Sequence, residues 1–119
     1  MNGEEYLSYD RGVKPLLYLL DTGISCVGAI AADKTVGAGA AHLYVLLGVK
    51  SIWTNIISLA AERILTEQGI EVFYGESVPH IINRRGDGIC PIEEAVSGAH
   101  TSVEALELIR NKLKELQSQ

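Results

Sequence analysis

Ser51-Ile-Trp-Thr-Asn-Ile-Ile57, Ser58, Leu59-Ala-Ala-Glu-Arg-Ile-Leu-Thr-Glu-Gln68, Gly69, Ile70-Glu-Val-Phe-Tyr74 is the stretch whose reading decides the fold. Its first seven residues are rich in β-branched and aromatic side chains, as strands are. Ser58 is an N-cap residue, because its hydroxyl can accept from a free N–H of the following turn, and Leu59–Gln68 is built from good helix formers. Gly69 stops that helix and Ile70–Tyr74 is again a strand. A strand, a helix and a strand joined this closely form a right-handed crossover between parallel strands.

Upstream, Val36–Leu47 carries Gly37 and Gly39 at its start and Gly48 after its end, which predicts a helix with a close-packed beginning and a left-handed C-terminal residue. Ser25–Ala32, small and apolar, reads as a strand covered on both faces, ended by Asp33-Lys34-Thr35. Val13–Leu20 reads as a short buried helix with Pro15 in its first turn and Gly23 beyond its end. Downstream, Thr101 and Glu104 have capping-box spacing. Val103, Leu106, Ile109, Leu113 and Leu116 form one apolar stripe, so an outer helix fraying after Leu116 is expected. The alternation predicts an α/β fold, a three-layer α/β/α sandwich on a mainly parallel sheet, with residues 1–119 as a single domain.

Composition narrows the function classes. The chain has 119 residues, 47% hydrophobic and 21% charged, which suits one globular core. Its net charge of −5, with no basic run beyond Arg84-Arg85, disfavours nucleic acid as a partner. Cys26 and Cys90 sit in unrelated contexts and no signal-peptide pattern precedes them, so reduced thiols in the cytoplasm are expected. No apolar run approaches the roughly twenty residues that span a bilayer. No membrane partner is expected.

In parallel sheets, strand ends and helix N-termini meet at the carboxyl edge, where ligands collect. That edge is expected to receive Asp33 and Lys34, then Ser58, then Gly75-Glu76, followed by an aperiodic stretch from Gly75 to Cys90 of a length that is uncommon unless functional. Asp33-Lys34 ahead of Gly37-Ala-Gly39 reads either as an anion site or as a polar turn with small residues for helix packing. Arg84 and Arg85 suit a phosphate or carboxylate clamp, or a solvated loop. Asp87 between two glycines is a ligand contact or ordinary turn chemistry. Cys90 before Pro91 is either a nucleophile activated at a helix start, with His80 as its base, or a packed thiol, since Glu93 and Glu94 oppose a thiolate in the same turn. His42 lies in an apolar helix and reads as a core histidine. The histidines and cysteines form neither a Cys-x-x-Cys nor a His-x-Glu arrangement, so neither a zinc site nor any other cofactor is expected.

The segments Arg11-Gly-Val-Lys-Pro-Leu-Leu, Ala31-Ala-Asp-Lys-Thr-Val-Gly37, Gly69-Ile-Glu-Val, Tyr74-Gly-Glu, Val78-Pro-His-Ile-Ile-Asn-Arg84 and Gly86-Asp-Gly-Ile-Cys-Pro-Ile-Glu-Glu-Ala-Val96 together resemble the uncharacterised prokaryotic family catalogued as domain of unknown function 1893. The resemblance spans Arg11 to about Leu113. It implies a cytidine-deaminase-like fold but not deamination, because the corresponding helix starts read Gly37-Ala-Gly-Ala-Ala-His42 and Ser58-Leu-Ala-Ala-Glu62, without the zinc ligands and proton-shuttling glutamate of deaminases. The resemblance also implies that an N-terminal strand segment is short or absent here, and an uncovered edge would favour a homodimer. The resulting expectation is a zinc-free domain binding a nucleotide or ADP-ribose-type phosphorylated molecule at the carboxyl edge. Asp33, Lys34, Gly37, Ser58, Arg84 and Asp87 would line the site, and Asp33 would also be able to act on the ligand. The alternatives are a cysteine-dependent hydrolase or transferase using Cys90, and a non-catalytic interaction protein.

Overall fold

A computed structural model describes residues 5–8, 13–23, 25–82 and 88–117. In chain order the elements are β1 (Glu5–Ser8), α1 (Lys14–Asp21), β2 (Ile30–Val36), α2 (Ala38–Leu47), β3 (Ser51–Ser58), α3 (Leu59–Glu67), β4 (Glu71–Val78), α4 (Pro91–Ala95) and α5 (Ser102–Gln117). The strands form one sheet in the order β1-β2-β3-β4, and every neighbouring pair is parallel.

The crossover β3–α3–β4 forms as its residues dictate. Ser58 ends β3 and its hydroxyl accepts from the Ala61 N–H at 3.2 Å, while Gly69 takes a positive φ of 77° beyond the helix end. Gly48 does the same after α2, with φ 80° and its N–H donating to the carbonyls of Tyr44 and Val45. At α5, Thr101 Oγ1 accepts from the Glu104 N–H at 3.1 Å, one half of a capping box, while Glu104 Oε1 accepts from the His100 N–H, one residue before the cap, at 3.4 Å.

The first interior strand differs from its expected span. Asp33, Lys34 and Thr35 do not break it; they lie inside β2, which is paired on both sides, with Asp33 in register with Ser8 and Thr54. A polar residue is tolerated there because the Tyr44 hydroxyl of α2 donates to Asp33 Oδ2 at 2.9 Å. The preceding residues instead make a turn at Gly28, which has φ 79° and donates to the Gly48 carbonyl. Gly75 and Glu76 likewise are not a turn, since β4 continues in register to Val78. A Cβ at Gly75 would stand 3.1 Å from the Asn55 carbonyl oxygen, so glycine there lets the edge strand hug β3.

α2 is the hub of the core, with residues from Ala38 to Tyr44 all buried. It packs against α1, α3, α4 and α5 as well as β2. Its Gly39 admits Ile92, Val13 and Ile109, and a Cβ there would meet Ile92 Cγ2 at 2.5 Å. On α5 the inward stripe runs through Ala105 and Ile109, both fully buried, whereas Val103 is 69% exposed. The helical layer expected on the other face of the sheet is not seen among the described residues, and Trp53 and Phe73 lie open there.

Candidate functional site

A groove of about 570 Å³ opens where Ala38, Ala60 and His80 stand, each two residues past the end of β2, β3 or β4. It runs from this carboxyl edge between α3 and the α4–α5 segment. All three histidines of the chain, His42, His80 and His100, line it together with Arg63, Glu93 and Glu94.

The groove's inner wall is fastened by Glu93, a buried carboxylate with 6% exposure. Its Oε1 accepts from the Ala38 N–H at the start of α2 at 3.3 Å, and its Oε2 accepts from the Ile81 N–H. A buried charge needs such partners, and the positive end of the α2 dipole favours it further. Gly37, the N-cap of α2, is the other half of this contact, because a Cβ there would lie 3.1 Å from Ile81 Cγ1 and 3.6 Å from Glu93 Oε1. Above it His42 is 7% exposed, its Nδ1 is 3.0 Å from Ser102 Oγ, and burial holds its pKa below the ordinary imidazole value.

These bonds decide which groups remain for a ligand. The first N–H of α2 is held by Glu93, and the Glu104 N–H in the first turn of α5 by the Thr101 hydroxyl. Side-chain donors in the groove lining are Arg63, His80 and His100, and Glu94 is an acceptor in the same lining. Among the described residues, no group of three or more His, Cys, Asp or Glu is placed to hold a metal ion.

The structure separates several residues that the sequence groups together. Asp33 faces α2, where burial pushes its carboxyl up to about 6 despite hydrogen bonds from Tyr44 and the backbone at Lys34 and Thr35. Lys34, the next residue of the strand, is exposed on the opposite face. The two cannot form one anion site. Ser58 is fully buried and its hydroxyl is committed to capping α3, so it offers a ligand nothing. Gly37 does stand at the carboxyl end of β2, but its role there is the close approach to Ile81 and Glu93. Arg84 and Asp87 lie outside the described residues. Cys90 is the N-cap of α4, a helix of five residues with Glu93 and Glu94 in its first turn, and its N–H donates to the Ile81 carbonyl at 2.8 Å. His80 lines the groove, whereas Cys90 is not part of that lining.

Sequence reasoning missed Glu93 as a tie, and Arg63 and His100 as groove residues. Glu93 carries a local signal, an acidic residue two positions after Pro91 in a first turn, but its partners at Ala38 and Ile81 are visible only after folding.

The family model described as Domain of unknown function (DUF1893) matches residues 1–113. The chain is also similar to a DUF1893 family protein from Thermotoga maritima known from a 2.70 Å crystal structure, with 29% identity and a TM-score of 0.76. That match covers 91% of this chain and 71% of the other. No curated protein matches the chain.

Proposed function

The chain belongs to the DUF1893 family, and from that premise we propose that it is a zinc-free, cytidine-deaminase-like domain whose groove binds a phosphorylated small molecule of the nucleotide or ADP-ribose type. One observation carries the reading: three histidines and an arginine, far apart in sequence, line a single groove that opens at the carboxyl edge of a parallel sheet. Its volume of about 570 Å³ is within the range of small-molecule sites. Arg63 supplies a planar fork suited to phosphate oxygens, and His80 and His100 add ring N–H donors. Glu94 suits a ribose hydroxyl. Deaminase chemistry has no support from the residues, because α2 and α3 begin without zinc ligands at the positions the family resemblance marks. Cys90 takes no part in this reading.

Isothermal titration with adenosine 5′-monophosphate, ADP-ribose and inorganic phosphate tests it. Saturable binding of an organic phosphate is expected, weakened about tenfold or more by Arg63→Ala, as loss of a charge-assisted hydrogen bond implies. Absence of binding across the panel, or affinity indifferent to Arg63→Ala and His100→Ala together, contradicts the proposal.

A further inference from the structure

We propose that the open face of the sheet, centred on the stacked pair Trp53 and Phe73, is the interface through which two copies of this chain form a dimer. It is independent of the ligand groove, which lies among the helices on the other side.

Contacts with the helices assign the two faces. Asp33 in β2 accepts from the Tyr44 hydroxyl of α2, and Glu62 of α3 acts on Tyr74 in β4, raising its pKa, so the row Asp33, Thr54, Tyr74 faces the helices. Side chains alternate along a strand. The rows on either side, Ala32–Trp53–Phe73 and Lys34–Asn55–Gly75, therefore face away from the helices, as does Ile30–Ser51–Glu71. Trp53 is 52% exposed, Phe73 41% and Ile30 37%. The two aromatic rings stack with centroids 4.4 Å apart at an interplanar angle of 21°. A contiguous aromatic surface of this kind marks an interaction site more often than a solvated one.

The charges around the patch select its occupant. Lys34 and Glu71, both exposed, stand at diagonally opposite corners with Trp53 midway between them. Each is about 7 Å from the Trp53 row along the strands and about 5 Å to one side of β3, in opposite senses. A two-fold axis parallel to the sheet, passing over Trp53 and perpendicular to that diagonal, places each Lys34 on the partner's Glu71 and stacks the two tryptophans. An uncharged centre with one positive and one negative corner at equal and opposite offsets is what an isologous interface requires. An anionic lipid surface would meet Glu71 unfavourably, and the net charge of −5 adds to that repulsion.

Size-exclusion chromatography with light scattering, together with emission from Trp53, the chain's single tryptophan, tests the proposal on the full chain. Twice the 12.9 kDa mass is expected, with Trp53 emission shifting to the blue as concentration rises. Trp53→Lys should give a monomer with an unchanged circular dichroism spectrum. Lys34→Glu and Glu71→Lys should each raise the dimer dissociation constant about tenfold, because each variant opposes like charges at two symmetry-related points. An equal mixture of those two variants should recover the dimer, since every facing pair is then opposite in sign. A chain that stays monomeric at millimolar concentration, a dimer indifferent to Trp53→Lys, or a mixture that does not recover overturns the proposal.

Discussion

Asp33 is a half-buried acid with a hydroxyl donor, and its raised pKa makes stability fall with pH. The folded chain holds the Asp33 proton up to about 6 whereas the unfolded carboxyl releases it near 3.8, so its contribution is complete below 3.8 and lost as pH rises through 6. Asp33→Asn keeps an acceptor for Tyr44 and removes the charge. Chemical denaturation should find the variant more stable by about 1–3 kcal/mol at pH 7.5 and close to the parent at pH 3.5. Glu93 acts as a tie, its two carboxylate oxygens accepting from backbone donors at the groove wall. Glu93→Ala should cost about 2–4 kcal/mol in the same assay, through donors left unpaired and a lost charge-assisted bond.

At the scale of elements, signals that act within a few residues were the legible ones. Ser58, Gly48, Gly69 and the Thr101–Glu104 pair cap their helices as their chemistry predicts, because a cap needs only its neighbours. What escaped depended on distant partners. Asp33 and Lys34 look like strand breakers until Tyr44 and two flanking strands are in place. Gly75 looks like a turn until the Asn55 carbonyl is seen to need the space of its missing side chain. On α5 the fixed anchor is Ile109 at Gly39, and Val103, six residues away, falls about 120° round the helix from it, whereas Ala105 lies a single turn away. The same contact yields a prediction: Gly39→Ala pushes a methyl into Ile92 and should destabilise the fold by about 1–3 kcal/mol, measured by thermal or urea unfolding.

Over the whole molecule, the sheet divides the labour between its faces. One face supports α2 and its neighbours, whose ends frame the histidine-lined groove, while the other displays Trp53 and Phe73. The groove escaped sequence reading because His42, His80 and His100 come from three separate segments, brought together only by the packing of α2, α4 and α5. Its location at the carboxyl edge was legible, because parallel strand order alone fixes where helix starts converge. Its lining was not.

The histidine rings lining the groove report directly on whether it binds a phosphorylated ligand. Proton NMR of the three imidazoles during titration with ADP-ribose should show saturable shifts of the His80 and His100 signals, lost in Arg63→Ala. Unmoved imidazole signals at millimolar ligand would contradict the account.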